Sequence, residues 1–282
     1  MAKKVCLDAG HYGKYNRCPN NASYYESEIM WKLHLLQKKY LEEYGIEVIV
    51  TRADQTKDLA LTTRGQKAKG CDLFISNHTN AVGGGMNDSI DYVIAYHLTN
   101  DNSTNCDDIS KDFAQKIAKV VADTMGATQG SRIASRLSDT DRNGDGVMND
   151  NYYAVLNGAR SVEVPGIIME HSFHTNSKVV NWLLSDSNLD KLAKAEAKCI
   201  ADYLGVEKKQ TLYRVQVGAF TLKFNATNML KKVQKSGFDG YVKYIKPYYK
   251  VQLGAFSVKS NAENYMKKVK DAGFNAFITT EN

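Results

Sequence analysis

Val5-Cys6-Leu7-Asp8-Ala9-Gly10-His11 begins with three apolar residues and passes at once to a carboxylate, a glycine and an imidazole. The apolar run reads as a short buried strand, and the polar residues as its carboxyl end. The pattern returns downstream: residues 48–51, 73–75, 92–96 and 167–169 are short apolar or β-branched runs. Amphipathic helices lie between them. One carries Ile29, Leu33, Leu36 and Tyr40, another Ile109, Phe113, Ile117 and Val120. A last one carries Leu189, Leu192, Ala193, Glu196, Cys199 and Ile200. Their spacing is that of one helical face. Strand–helix alternation predicts an α/β domain, a mostly parallel twisted sheet with helices on both faces.

In such sheets ligands sit beyond the carboxyl ends of the strands. Strand one ends in Asp8-Ala9-Gly10-His11, the 73–75 strand in Ser76-Asn77-His78, and the 167–169 strand in Glu170-His171. Glu26 lies just before the first strongly amphipathic helix. Two neutral imidazoles and a carboxylate are a common catalytic zinc set with one position left for water. A further carboxylate off the metal can move the proton. Taken singly, each signal is weak, since a lone strand-end histidine is more often satisfied by the backbone than by a metal.

Composition bounds the rest. The chain has 282 residues, 43% hydrophobic and 24% charged, so it is globular rather than disordered. No apolar window is long enough for a membrane span. Met1 to Asp8 is too short an apolar stretch for a signal-peptide core, which predicts synthesis in the cytoplasm and release by another agent. Five scattered cysteines without a Cys-x-x-Cys pair read as reduced thiols.

A repeat marks a second domain. Tyr213-Arg214-Val215-Gln216-Val217-Gly218-Ala219-Phe220 recurs as Tyr249-Lys250-Val251-Gln252-Leu253-Gly254-Ala255-Phe256. Each copy runs into a helical stretch (Ala226, Met229, Leu230, Val233; Ala262, Tyr265, Met266, Val269), a Gly-Phe pair and a short β-prone run. One such βαβ unit cannot bury its apolar face alone, so the two are expected to form one small α+β domain, βαββαβ. The expected organisation is a catalytic domain at 1–206, a polar link at 207–211 and the repeat domain at 212–282. Residues 211–282 hold 12 Lys+Arg against 4 Asp+Glu, a net of +8; the remainder (25 against 27) has a net of −2. The basic tail points to an anionic partner: nucleic acid, membrane or cell-wall polymer.

The motifs, in order, resemble the zinc-dependent N-acetylmuramoyl-L-alanine amidases. The likeness is carried by residues 7–13, Glu26-Ser27-Glu28-Ile29, Thr51-Arg52-Ala53-Asp54, Leu61-Thr62-Thr63-Arg64, residues 72–80 and residues 164–176. It implies that His11, Glu26 and His78 bind one Zn2+ and that Glu170 is the catalytic acid/base. Glu26 lies three residues before Ile29 and is preferred to Glu28, which suits the positive helix start. Asn77 and His171 depart from the commoner family pattern. Asn80, His171 and His174 are candidate substrate contacts. The implied substrate is peptidoglycan, cut at the amide between the lactyl group of muramic acid and L-alanine.

The paired repeat resembles a SPOR domain, which implies peptidoglycan binding with Gln216 and Gln252 facing outward on the sheet. A basic βαββαβ sheet is also the RRM topology, but the RRM aromatic motif is absent, so no nucleic acid is expected, nor a membrane. Residues 139–150 match the first half of a calcium loop in two registers, a candidate Ca2+ site, although the twelfth position is Asp. Two settings fit an enzyme without a leader: a phage endolysin released by a pore-forming partner, or an autolysin of a lysing mother cell. The alternatives in function are a zinc exopeptidase on free peptides and a non-catalytic wall- or RNA-binding protein.

Overall fold

A computed structural model describes residues 2–99, 105–142, 144, 146–208 and 212–280. The chain divides into two units, 1–208 and 209–282. The first contains β1 (Lys4–Ala9), α1 (Glu26–Glu43), β2 (Glu47–Val50), α2 (Leu61–Gln66), β3 (Leu73–Asn80) and β4 (Val93–His97). It continues through α3 (Cys106–Met125), β5 (Ser131–Ala134), α4 (Ala154–Arg160), β6 (Gly166–Phe173), α5 (Ser177–Leu183) and α6 (Asp186–Tyr203). The strands form one sheet in the order β2-β1-β3-β6-β4-β5. Only β4 against β6 is antiparallel.

Two-residue alternation sorts the core. Val5 and Leu7 of β1, Leu73 and Ile75 of β3, and Ile167 and Met169 of β6 pack with α1, α3 and α6. Cys6, Phe74 and Ile168, the residues between them, pack on the other side with α4. Strands covered on both faces need apolar residues at every position, which is why these runs are continuous.

The second face is closed by a backbone contact between α2 and α4. A β-carbon at Gly65 would lie 2.1 Å from the Val155 carbonyl oxygen, and one at Gly158 2.1 Å from that of Thr62. Glycine at both positions allows the approach. The contact seats Arg64, which reaches Asp58 (2.7 Å), Asp8 (3.7 Å) and the Ala9 carbonyl (3.3 Å). Asp8 is fully buried and also accepts from Thr51 Oγ1 (2.5 Å) and Ser76 Oγ (2.8 Å). A carboxylate is tolerated at such depth only when paired and hydrogen-bonded. These bonds fix the carboxyl end of β1, from which the site is built.

The second unit contains β7 (Tyr213–Phe220), α7 (Lys223–Lys235), β8 (Tyr241–Ile245), β9 (Tyr248–Phe256), α8 (Lys259–Asp271) and β10 (Phe277–Thr279). Its antiparallel sheet has the order β10-β7-β9-β8. Val215, Val217, Val251 and Leu253 meet Ala226, Val233, Ala262 and Val269 of the two helices. This is the expected βαββαβ arrangement. Of the expected link at 207–211, residues 209–211 lie outside the described residues. The β7–β9 register shifts on both sides of Gln216, leaving Val217 and Leu253 as the extra residues of two bulges. A β-carbon at Gly218 would lie 2.7 Å from the Phe220 ring, and one at Gly254 3.0 Å from the Phe256 ring. The repeated Gly-Ala-Phe thus has a packing cause.

Candidate active site

Gly10 continues the ladder past β1, its N–H donating to the Asn77 carbonyl (2.8 Å). His11 then turns with φ 57°, and Asn16 with φ 53°, a left-handed region that few non-glycine residues adopt. Glu26 opens α1, and His78 lies in β3 directly opposite Glu170 of β6. The donor atoms of His11, Glu26 and His78 lie within 4.8 Å of one another. Glu26 Oε1 is 2.9 Å from His78 Nδ1 and 3.4 Å from His11 Nε2. Donors around a tetrahedral zinc ion stand about 3.3 Å apart, given bonds of about 2.0–2.1 Å. The set therefore fits such an ion in chemistry and in spacing.

The carboxylate is held firmly. Its Oε1 accepts from the Thr79 N–H (3.0 Å) and its Oε2 from Asn16 Nδ2 (2.7 Å). Burial alone would raise the Glu26 carboxyl, but hydrogen bonds from His11 and His78, with their charge, hold it well below the carboxylate range. Glu170 is the opposite case. It is half-buried, and its buried Oε2 has no hydrogen-bond partner among the described residues. Burial first, then the charge of Glu26, push its carboxyl up to about 8. Two neighbouring carboxyl groups are thus driven apart in acidity, the pattern expected of acid/base sites.

These groups line a cleft of about 620 Å³, with Tyr12, Tyr15, Asn80, Tyr153 and His174 among its walls. His174 Nδ1 meets Thr79 Oγ1 (3.1 Å), which in turn meets the Tyr24 hydroxyl (3.0 Å). Burial lowers the His174 imidazole, favouring its neutral form.

The N-acetylmuramoyl-L-alanine amidase family model matches residues 5–202. The chain belongs to this amidase family. A SPOR domain model matches residues 188–244 and 245–282. That match begins within α6, whose Leu189 and Leu192 pack in the catalytic core, so the structural boundary of the amidase unit falls later. The chain is 29% identical to the N-acetylmuramoyl-L-alanine amidase CwlM of Bacillus licheniformis, over 86% of this chain and 85% of that protein. It is 26% identical to an endolysin of Bacillus phage SPP1, over 74% of this chain and 69% of that one. In fold, the amidase unit is similar to the CwlV catalytic domain from Bacillus (Paenibacillus) polymyxa var. colistinus. The TM-score is 0.56 at 23% identity, covering 73% of this chain and 99% of that one.

One expected substrate contact of the amidase is corrected. His171 is fully buried, and both ring nitrogens are engaged, Nδ1 with the His78 carbonyl (2.9 Å) and Nε2 with Glu196 Oε1 (2.9 Å). Alternation along β6 turns it away from the cleft that Glu170 faces. Its partner Glu196 also accepts from Gln37 Nε2 (2.9 Å), and Gln37 Oε1 accepts from Asn77 Nδ2 (2.8 Å). The polar Asn77, unusual for the family, thus belongs to this buried chain of hydrogen bonds. Glu196 was legible only as an acid within the apolar stripe of α6. Asn16, Thr79 and Tyr24 left no comparable signal: Asn16 lies in an irregular loop, and the partners of Thr79 and Tyr24 are 53 and 55 positions away.

In the SPOR unit, Gln216 and Gln252 face each other across β7 and β9, in one row with Phe277 and Tyr241. Val215 and Val251 point to the helices, so the row lies on the other face of the sheet. Both glutamines are nonetheless buried, contrary to the expected exposure. The Tyr241 hydroxyl donates to Gln252 Oε1 (2.9 Å), and half-exposed Phe277 and Tyr241 flank the pair.

In the 139–150 loop, Asp141 accepts from the amides of Gly144 (2.7 Å) and Gly146 (2.9 Å), and Asp150 from that of Arg142 (2.5 Å). Asn143 and Asp145 lie outside the described residues. Among the described residues, the His11–Glu26–His78 set is the group placed to share an ion. No helix among them is long and apolar enough to cross a membrane.

Proposed function

We propose that the chain is a zinc-dependent peptidoglycan hydrolase that cuts the amide between the lactyl group of N-acetylmuramic acid and L-alanine. The observation carrying this reading is the convergence of His11, Glu26 and His78 in one cleft with Glu170, whose buried Oε2 has no hydrogen-bond partner among the described residues. His11 Nε2, Glu26 Oε1 and His78 Nδ1 would hold the ion. Zinc there supplies a lowered pKa for water, a polarised amide carbonyl, and a positive charge that favours ionised Glu170. Glu170 takes the proton of the attacking water and returns it to the leaving amine. Its lack of other partners leaves the oxygen available for both transfers. Asn16 and the Thr79 amide keep the Glu26 carboxylate oriented. Asn80 and His174, on the cleft wall, orient the substrate.

The SPOR unit holds the enzyme on the wall and raises the local substrate concentration without altering the chemistry. Exposed Phe277 and Tyr241 supply its glycan face, with the buried Gln216 and Gln252 behind them. A phage-lysis or sporulation setting is supported by the names of two relatives, the SPP1 endolysin and a sporulation-specific amidase of Bacillus subtilis (strain 168), 26% identical over 85% of this chain and 84% of that protein.

The test is digestion of purified cell wall by the full chain. New N-terminal alanine, lost on chelation and restored by zinc, is expected; new reducing ends would mean a glycosidase. Glu170→Gln is expected to retain zinc and lose turnover by several orders of magnitude. A Glu170→Gln enzyme that still released alanine would remove this residue from the mechanism.

A further inference from the structure

We infer that Tyr12 and Tyr15 form a sugar-stacking subsite, which receives the pyranose ring bearing the scissile amide. The inference rests on the amidase reading above and adds the orientation of the substrate to it.

The Tyr15 ring lies nearly parallel to the candidate ligand His11, with centroids 5.2 Å apart and planes 7° apart. Tyr12 continues the array, 5.9 Å from Tyr15 at 28°. Both rings line the cleft, and they are 37% and 50% exposed. The rings therefore lead from the metal set to the rim and retain surface for a ligand.

The loop carrying them is fixed. Ser27 Oγ accepts from the Tyr15 N–H (2.9 Å) and donates to the Gly13 carbonyl (2.7 Å). Gly13 N–H donates to the Gln55 carbonyl (2.8 Å), and Gln55 Nε2 donates back to Gly13 (2.5 Å). The Glu26 N–H donates to the Asn16 carbonyl (3.0 Å). Ser27 follows Glu26 in α1, so platform and metal set share one anchor. Tyrosine offers a large rigid contact at low entropic cost, and the anchored loop lowers that cost further.

The chemistry selects the sugar. In the substrate three bonds, through the lactyl ether, join the amide carbonyl carbon to the pyranose ring. The sugar must therefore lie beside the metal set, where the aromatic array begins. One face of a pyranose is a flat patch of weakly positive C–H groups, which suits the negative face of an aromatic ring. An extended stem peptide instead needs donors and acceptors along its length. The tyrosine wall offers only phenol hydroxyls, whereas Asn80 and the end of β3 offer amides and carbonyls.

The experiment uses the full, zinc-loaded chain and two double variants, Tyr12→Ala/Tyr15→Ala and Tyr12→Phe/Tyr15→Phe. The substrate is a wall-derived disaccharide-peptide, and the competitors are the peptide-free disaccharide and the free stem peptide. The alanine pair is expected to raise KM and weaken disaccharide inhibition by about 5- to 150-fold, which corresponds to about 1–3 kcal/mol for the two rings. Its kcat should stay within about threefold and its zinc content should be unchanged, while the phenylalanine pair should behave as the parent. Unchanged KM and disaccharide inhibition in the alanine pair would overturn the subsite, as would weakened inhibition by stem peptide alone. Saturation transfer from the tyrosine rings of the unmodified protein to the disaccharide gives a readout independent of variant folding. Its absence also overturns the subsite. If the unmodified chain releases no alanine, the amidase reading fails, and the drop in saturation transfer from the unmodified chain to the alanine pair, in which Tyr241 is unchanged, still decides whether the two rings bind sugar.

Discussion

Replacing Glu196 should test how the floor of the candidate metal site is built. His171 donates from Nδ1 to the His78 carbonyl and from Nε2 to Glu196, both at 2.9 Å. The carbonyl can only accept, so Nδ1 carries a proton, and the Glu196 carboxylate favours a second one on Nε2, the imidazolium form. Burial opposes that charge, but the charge and hydrogen bond of Glu196 outweigh it and raise the imidazole above its ordinary range. Both side chains are fully buried. Glu196→Ala leaves a cation without its counter-charge, strands Gln37 Nε2 and opens a cavity; breaking such a pair costs roughly 3–5 kcal/mol. Glu196→Gln keeps the volume. If its oxygen accepts from His171, its amide faces the amide of Gln37. A Gln37 flip passes the mismatch to Asn77, whose Nδ2 now donates to the Asp8 carbonyl (3.4 Å). One mismatched pair remains somewhere along this chain, at roughly 1–3 kcal/mol. For a unit of this size the glutamine variant should melt about 2–12 °C lower, and the alanine variant lower still. The assay is thermal and urea unfolding of the full chain, following the larger unit. If both variants fall within about 0.5 kcal/mol of the parent, a surface-like value, the buried ion pair does not hold the site floor.

Other perturbations have equally definite outcomes. A β-carbon at Gly10 would lie 2.5 Å from His78 Cε1 and 2.7 Å from the Asn77 carbonyl oxygen, so Gly10→Ala must displace a candidate ligand. Zinc affinity, measured by competition with a chromogenic chelator, should fall about 10- to 100-fold, as for outer-sphere changes that misplace a ligand. Buried His34 donates from Nδ1 to the Trp31 carbonyl (2.6 Å), and burial lowers its pKa to about 4. Its folded value lies below the ordinary 6.5, so its contribution is complete above pH 6.5 and is lost as pH falls toward 4. The loss reaches roughly 3 kcal/mol, and urea unfolding of His34→Gln should show a flatter stability profile over that window. Lys231, Lys232, Lys267 and Lys268 are exposed on α7 and α8. Their replacement together by Gln should weaken wall binding at low salt and reduce its salt dependence. Salt-independent binding of the parent chain would show that this charge is not used.

Much of the fold was legible because its signals are local. Residues 5–7, 73–75 and 167–169 are apolar at consecutive positions, as strands covered on both faces require. The 36-residue repeat announced the second unit. The short elements β5, α4 and α5 left little trace, since four to seven residues hold few turns of periodicity and are stabilised by what they pack against. Gln216 and Gln252 were assigned to the correct face of their sheet but not to its interior, because alternation does not report which neighbours fold over a side chain.

The sequence alone determined the element types and the chemical groups at the strand ends, since both depend on residues a few places apart. Which groups meet was decided by the tertiary structure. His78 meets Glu26 across 52 positions, and Gln37 meets Glu196 across 159. His11, His78 and His171 are equivalent as residues at strand ends. Sheet register and the packing of α1 and α6 turn two of them toward a shared point in the cleft and engage the third behind it, because side-chain direction follows strand pairing and burial.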